Sequence, residues 1–263
     1  MKNIPTTPHE VTESWLISVL SNHGKEIKVL ELKSVKNEGG VLSSVFKAKV
    51  DIDGNEEKLF IKIMPHGEGQ RVFIENQPID AIEIKTYEKV LPMLQDFETS
   101  EFGSSITKSM ACRYFGGQSS LSKDSRGFYV ILEDISEIYQ MPKMEKGLTS
   151  EQILDGLKKL AYFHGLSYCY AKKHNVDFLK DNVTPYFEFF KDPGILQHID
   201  NMFKRIIHQM KSREENDLVE ILTKLSSNYI DKFKWAYDGR CGDFLTHGDI
   251  WATNLMFKGN DVS

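Results

Sequence analysis

The feature that most constrains the fold is a change in hydrophobic periodicity near the middle of the chain. In the first half, residues 46–51 and 59–63 carry apolar side chains at every second position, which is typical of half-buried strands. Asp53 and Gly54 lie between these segments and indicate a tight hairpin, because both central positions of a type I′ turn need a positive φ. The first half is therefore predicted to be rich in sheet.

Helices are predicted around this sheet and throughout the second half. The segment from about Val11 to Ser21 has its apolar side chains on one side, and a helix over about 78–94 is expected to end near Pro92. Two further strands are expected at 110–116 and 128–132. Later, Thr149 and Gln152 have capping-box spacing at the start of a long amphipathic helix. Additional helices are predicted near 184–191, 196–211 and 215–236.

Composition and charge exclude several classes of protein. The 263 residues include 40% hydrophobic and 27% charged residues, as in ordinary globular proteins. The net charge of −5 argues against a general nucleic-acid binder, which usually has a basic excess. The three cysteines form no CxxC pair, so we expect reduced thiols and no zinc site. With no signal-peptide pattern and no bilayer-length apolar run, a cytoplasmic protein without a membrane partner is predicted.

The sharpest chemical signal is the segment His247-Gly248-Asp249-Ile250-Trp251-Ala252-Thr253-Asn254. An Asp followed five positions later by an Asn is the pattern of a phosphoryl-transfer loop, in which the Asp accepts the proton of the attacking hydroxyl and the Asn holds Mg²⁺. Apolar segments precede and follow the loop, as this chemistry requires. A lone HxD would be explained equally well as a surface turn, but the longer pattern disfavours that interpretation.

A lysine inside an apolar strand is the second signal. Lys62 lies in Phe60-Ile61-Lys62-Ile63, where a charge is costly unless it is paired or reaches solvent. In a kinase such a lysine contacts ATP phosphates and pairs with a helix glutamate, for which Glu83 is the candidate. Taken alone, Lys62 is equally well an edge-strand charge and Glu83 a solvent-facing carboxylate. Their order along the chain, before the Asp249 loop, favours the functional interpretation.

Two weaker signals flank the strands. Residues Gly39, Gly40, Ser43 and Ser44 precede the first strand and offer backbone N–H groups and hydroxyls to phosphates, although a plain turn also explains them. Glu133, Asp134 and Ile135 follow the strand at 128–132. In a two-lobed kinase this linker would offer backbone groups to adenine, whereas the alternative is an acidic loop.

Together these residues resemble the CHK kinase-like family, which includes the ecdysteroid kinase-like and related nematode proteins. That family is a branch of the aminoglycoside phosphotransferase and choline kinase group. The resemblance runs from about Asn37 to the end of the chain. It covers Ser43–Phe46, Lys62–Pro65, Glu83–Tyr87 with Leu91-Pro92, Leu132–Asp134, Leu160–His164 and the HGDIWATNLMFK stretch. The Gly after the His and the Trp two residues after the Asp separate this branch from protein kinases, which typically show HRD.

The resemblance implies an α+β, protein-kinase-like bilobal fold and ATP-dependent phosphorylation of a small-molecule alcohol. The expected organisation is an N-terminal helical segment (1–36), a sheet-rich N-lobe (37–135) and a helical C-lobe (136–263), with the lobe boundary near 136–148. Carried over by position, Lys62 would hold phosphates, Glu83 would hold Lys62, Asp249 would be the base and Asn254 would bind Mg²⁺. Ecdysteroids, choline and aminoglycosides are all acceptors in this group, so the fold does not name the acceptor.

The chain departs from the family pattern at its end. Relatives continue into a strand that ends in a metal-binding aspartate, whereas this sequence stops at Gly259-Asn260-Asp261-Val262-Ser263. We expect Asp261 to lie in the turn before that strand, which leaves Leu255 and Phe257 on an exposed edge, and we expect an incomplete C-lobe.

Two alternative functions stay open. One is a non-catalytic pseudokinase or binding protein that lacks the second metal-binding aspartate. The other is a protein kinase, which the HGD loop and the lack of an APE-type segment disfavour. The acceptor and the oligomeric state stay open as well.

Overall fold

The computed structural model describes residues 4–35, 43–67, 71, 79–120, 126–142, 147–178, 193–232, 244–250, 254–258 and 261–262. The chain divides into two compact units, one formed by Met1–Lys173 with Leu245–Ser263 and the other by His174–Phe244. The expected α+β class is confirmed, with an antiparallel sheet first and helices after it. The lobe boundary near 136–148 stays a prediction.

A five-stranded antiparallel sheet forms the centre of the first unit. Its strands are β1 (Ile27–Val35), β2 (Ser44–Ile52), β3 (Asn55–Ile63), β4 (Tyr114–Ser120) and β5 (Gly127–Glu133), in the order β1-β2-β3-β5-β4. The β2–β3 hairpin turns through Asp53 and Gly54, whose φ angles of 51° and 83° confirm the predicted type of turn. The inner strand β3 pairs with β2 on one side and β5 on the other.

Strand β1 is not predicted from the sequence, and its burial explains why. None of its nine residues is buried, because it is an edge strand that pairs only with β2 among the described strands. A bulge between Val29 and Glu31 also interrupts its alternation. The predicted strand at 110–116 is found slightly later, as β4, and the one at 128–132 is confirmed as β5.

Helix α1 (Glu13–Leu20) covers one face of the sheet, within the range predicted for it. The Thr12 hydroxyl accepts a hydrogen bond from the Trp15 N–H at 3.2 Å and caps the helix. Leu16 and Leu20 are fully buried against the strands, and the Trp15 ring packs edge-on against Tyr129 of β5. This cluster fixes the alternation of β3, so that Ile61 and Ile63 point toward α1.

The other face is covered by α2 (Ile79–Lys85) and a π-helical turn (Thr86–Val90), through Ile84 and Tyr87, and the same helical stretch continues as α3 (Leu91–Phe102). The prediction that this helix ends near Pro92 is wrong. Pro92 lies in the first turn of α3, directly after the wider π turn, where its missing N–H and its ring are tolerated. The helix ends at Gly103, which has a φ of 75°.

A buried ion pair fastens α2 to the sheet. The Arg126 guanidinium, just before β5, donates to the Asp80 carboxylate at 2.9 Å, and the two side chains are 5% and 2% exposed. The Ser119 hydroxyl of β4 also donates to Asp80. Because Asp80 lies about one helical turn before Glu83, this contact fixes the position of the predicted site residue on α2.

Helix α4 (Ser150–His174) begins with the predicted capping box. The Thr149 N–H donates to the Gln152 side chain at 3.0 Å, and the Gln152 N–H donates to the Thr149 hydroxyl at 3.2 Å. Further along, Leu166 packs with Leu245 and with apolar residues of the π turn and α3. Helix α4 is therefore packed against α3 within the first unit.

The end of the chain forms a small hairpin of β6 (Phe257–Lys258) and β7 (Asp261–Val262). The expectation that Asp261 lies in a turn and that Phe257 lies on an exposed edge is wrong. Phe257 pairs with Val262 and is 3% exposed, because two residues are enough to supply the second strand. Phe257 also exchanges two backbone hydrogen bonds with Gln140, at 2.9 and 3.0 Å.

The second unit contains α5 (Pro193–Ser212) and α6 (Asn216–Ser226), which correspond to the helices predicted near 196–211 and 215–236. The helix predicted at 184–191 lies outside the described residues. No helix in the described part of the chain is both long and apolar enough to cross a membrane.

Candidate functional site

A lysine–glutamate ion pair joins the sheet to helix α2. The Nζ of Lys62 lies 2.7 Å from Oε1 of Glu83, and the two side chains are 30% and 28% exposed. Solvent screening at this exposure limits the stability gained from the pair to about 0–1 kcal/mol. The pair therefore does little to hold the fold together, and it keeps a cation where an anionic ligand can reach it.

The sheet register decides where Lys62 points. Lys62 lies opposite Val45 of β2 and Val130 of β5, whereas its neighbours Ile61 and Ile63 are fully buried under α1. Side chains alternate across a strand, so Lys62 must face α2. The pairing with Glu83 that the sequence indicates is thus observed, and the roles of the two residues in phosphate binding stay predictions.

The loop predicted to be catalytic is closed by a side-chain contact. The Asn254 amide donates to Oδ2 of Asp249 at 2.8 Å and to the Asp249 backbone carbonyl at 2.9 Å. The five-residue spacing therefore places the two side chains together. Gly248 has a φ of 77°, a left-handed conformation that glycine adopts without strain, and this explains the residue between His247 and Asp249.

His247 forms a local hydrogen bond at the start of this loop. Its Nδ1 accepts the Asp249 N–H at 3.3 Å, which places the proton of a neutral ring on Nε2. Desolvation by the surrounding protein lowers the pKa of His247, although its side chain is exposed overall, and the carboxylates of Asp249 and Glu83 act in the opposite direction. The loop and the Lys62–Glu83 pair belong to the same compact unit.

The segment after β5 is held firmly to the sheet. The N–H groups of Glu133 and Asp134 donate to the Arg113 and Lys58 carbonyls, both at 2.8 Å, and the Asp134 carboxylate pairs with Lys47 at 2.8 Å. Burial alone would raise the pKa of Asp134, but hydrogen bonds from Lys47 and from Ser136 hold it below its ordinary value.

These contacts narrow the adenine-binding prediction for residues 133–135. The carbonyl of Ile135 accepts two backbone N–H groups of the following turn, at 3.0 and 2.9 Å. The Ile135 N–H donates no hydrogen bond to any described residue. It is therefore the backbone donor of this linker that can bind a nucleotide. The assignment itself stays a prediction.

The proposed phosphate loop is only partly described. Gly39 and Gly40 lie outside the described residues. Ser43 and Ser44 are half-buried, and Ser44 starts β2 opposite Ile63, the neighbour of Lys62. The structure thus places Ser44 beside the strand that carries the lysine.

The donor atoms of the Asp249–Asn254 pair fit a magnesium ion. Mg²⁺ prefers carboxylate and carbonyl oxygens, and both are present here. Because Asn254 directs its amide N–H₂ to Asp249, its carbonyl oxygen is free of hydrogen bonds to the described residues. The side-chain carbonyl oxygen of Asn254 is therefore available to bind a cation, as the predicted Mg²⁺ role of Asn254 requires.

Sequence analysis missed two buried polar residues in this region, one on α3 and one on α4, of which only the second contacts the segment that leads into the loop. Glu98 of α3 is fully buried and accepts hydrogen bonds from Ser105, Ile106, Thr107 and Tyr162. Ser167 of α4 is also fully buried, and its hydroxyl accepts the Leu245 N–H at 2.9 Å. The only available signal for Ser167 is a small polar residue next to Leu166 within an amphipathic helix.

The five-stranded antiparallel sheet followed by helices agrees with a kinase-like α+β fold. A model of the ecdysteroid kinase-like family matches residues 38–263, and the chain therefore belongs to that family. The resemblance inferred from the motifs, which begins at about Asn37, is confirmed. No curated protein matches this chain significantly.

Proposed function

We propose that this chain is a small-molecule kinase that transfers the γ-phosphoryl group of ATP to an alcohol hydroxyl. The observation that carries the proposal is the 2.8 Å contact that joins Asn254 to Asp249, in the same compact unit as the Lys62–Glu83 pair. A positioned base, a cation-binding amide oxygen and a lysine for phosphate are the parts that phosphoryl transfer needs. Membership of the ecdysteroid kinase-like family supports the same chemistry.

Each residue has one role in this proposal. Lys62 binds the phosphates, and Glu83 orients Lys62 through the 2.7 Å contact. The acceptor hydroxyl gives its proton to the Asp249 carboxylate while its oxygen bonds to the γ-phosphorus. The bond between the γ-phosphorus and the bridging oxygen breaks, and ADP leaves. Mg²⁺, held by Asn254, supplies neutralisation of the phosphate charge when it is bound. The N–H of Ile135 is the adenine contact.

The proposed acceptor is an alcohol of the ecdysteroid type, which follows from the family name, with choline and aminoglycosides as the alternatives. The fold does not distinguish among them, because acceptor choice depends on the walls of the acceptor pocket. Transfer from γ-labelled ATP to an ecdysteroid, to choline and to an aminoglycoside tests the three acceptors in parallel. Labelling of none of them would contradict the proposed acceptor class.

Replacing Lys62 by methionine is expected to weaken MgATP binding about tenfold to a hundredfold, because a charged hydrogen bond to phosphate is lost. Titration calorimetry measures this directly and needs no acceptor. Lys49→Met is the matched control, since Lys49 also lies on a strand of this sheet and pairs with a glutamate, Glu56, at 2.7 Å. Equal affinity of the Lys62 and Lys49 variants would contradict the phosphate role of Lys62.

A non-catalytic nucleotide-binding protein is the second candidate. One observation favours it: Oδ2 of Asp249 already accepts the Asn254 amide at 2.8 Å, so one of the two carboxylate oxygens of the proposed base is engaged. The two candidates differ in turnover and share nucleotide binding. MgATP binding that depends on Lys62, without transfer to any of the three acceptors, would favour the second candidate.

A further inference from the structure

We propose that Ser167 is a positioning residue for Asp249, and this inference rests on the proposed function. Its hydroxyl fixes the start of the segment that carries Asp249, so that the carboxylate stays aligned for proton transfer. Ser167 lies on α4 and does not belong to the loop itself.

Both hydrogen-bonding capacities of Ser167 are used. Its Oγ donates to the His164 carbonyl at 2.9 Å and accepts the Leu245 N–H at 2.9 Å, and its side chain is fully buried. A hydroxyl has one proton to donate, so the bond to His164 directs its lone pairs toward Leu245. Leu245 lies four residues before Asp249.

Side-chain packing contributes little to the described residues 246–250 of this loop. Residues 246–250 are all exposed, so burial of side chains contributes little to the orientation of Asp249. Hydrogen bonds are therefore prominent in and beside the described part of the loop: Ser167 to Leu245 at the start, His247 and Asn254 to Asp249 within the loop, and Gln140 to Phe257 after it. The Ser167–Leu245 contact can be removed by a substitution at Ser167, which lies outside the loop, so every residue of the loop is retained.

The support beneath Ser167 is itself fixed. Its neighbour Leu166 is buried among Val90, Leu94 and Phe97. About one turn earlier, the Tyr162 hydroxyl donates to the buried Glu98 carboxylate at 2.6 Å. Helix α4 is therefore held to α3 directly beside Ser167 and about one turn before it. A single hydrogen bond from this anchored part of α4 then reaches the start of the loop.

Three variants separate the hydroxyl from the shape of the side chain. Ser167→Ala removes the hydroxyl, Ser167→Val removes it and adds volume, and Ser167→Thr keeps it with nearly the volume of valine. We expect kcat for phosphoryl transfer from MgATP to an ecdysteroid to fall about tenfold in the alanine and valine variants, because misplacing a catalytic group slows the reaction. The KM for MgATP should stay within about twofold, and threonine should recover most of the wild-type kcat.

Amide hydrogen exchange provides a readout that needs no turnover. Exchange of residues 245–250 should be faster in the alanine and valine variants than in the wild type and the threonine variant. Exchange in β3, which carries Lys62, should be the same in all four proteins. A general loss of folding would accelerate both regions together.

Two results would overturn the inference. One is unchanged exchange of residues 245–250 in the alanine variant, which would show that Ser167 does not hold the loop. The other is faster exchange with wild-type kcat, which would show that the contact holds the loop without positioning Asp249. If the wild-type chain transfers no phosphoryl group, the proposed function fails separately, and the exchange data still decide whether the contact holds the loop.

Discussion

Asp249→Asn is expected to lower the rate of phosphoryl transfer about a hundredfold to ten-thousandfold, because the acceptor hydroxyl then loses the base that takes its proton. Asparagine has nearly the same shape as aspartate, and its carbonyl oxygen can still accept the hydrogen bond from Asn254 that is 2.8 Å long in the wild type. Loop geometry is therefore retained while the negative charge is lost. Initial rates with γ-labelled ATP measure the effect, and calorimetry should show MgATP affinity within about threefold of the wild type.

A charge-matched control separates this effect from a change in net charge. Asp96→Asn removes an exposed carboxylate from α3, outside the loop, and should leave the rate unchanged. Full activity of the Asp249 variant would exclude Asp249 as the base. Loss of MgATP binding together with activity would instead indicate that Asp249 acts by binding the metal–nucleotide complex.

Glu98→Gln is expected to lower the free energy of unfolding by about 3 kcal/mol at pH 7, because both carboxylate oxygens of Glu98 accept hydrogen bonds in a fully buried site. Oε1 accepts from the Ile106 N–H and the Tyr162 hydroxyl, each at 2.6 Å, and Oε2 accepts from Ser105 and Thr107. A glutamine must turn its N–H₂ group toward donors in either orientation. Urea denaturation measures the change.

The pH dependence of this contribution has a definite sign. Burial alone would raise the pKa of Glu98, but hydrogen bonds from Ser105, Thr107, Tyr162 and Ile106 lower it to about 2 from an ordinary 4.5. The stabilisation from the ionised carboxylate is therefore complete above about pH 4.5 and is lost as the pH falls toward 2. The stability difference between wild type and Glu98→Gln should shrink over that window.

The control for this pH series is Glu101→Gln. Glu101 is exposed on the same helix and pairs with Lys173 at 2.5 Å, so its replacement should cost no more than about 1 kcal/mol. A stability difference for Glu98→Gln that stays constant from pH 7 to pH 2 would show that the carboxylate is not held ionised by its neighbours.

The parts of the fold that were predictable depend on local patterns. The alternation of β2 and β3 and the Asp53–Gly54 turn are set by neighbours within a few residues, and so is the capping box at Thr149. The five-residue spacing of Asp249 and Asn254 belongs to the same category, because the two side chains meet within one loop. The Lys62–Glu83 contact joins residues 21 positions apart, and it was predicted from the order of strand, helix and loop along the chain.

The parts that were not predictable depend on tertiary context. Strand β1 fully buries no residue, and the bulge between Val29 and Glu31 breaks its apolar alternation, so it lacks the uninterrupted pattern that marks β2. Glu98 looks like an ordinary polar residue of an amphipathic helix, and the groups that donate to it arrive from the next turn and from α4. Pro92 is normally a reason to end a helix, and only the π-helical turn before it allows α3 to continue.

That π-helical turn also sets the rotational phase between the two carboxylates on the long helical stretch. Glu83 precedes the turn and faces Lys62, whereas Glu98 follows it and faces Tyr162. If the same residues of Thr86–Val90 formed ordinary α-helix, the extra residue would add its full rotation and swing one carboxylate by about 100° relative to the other. A single extra residue in this helical stretch thus lets it present one carboxylate to the sheet at one end and the other carboxylate to α4 at the other end.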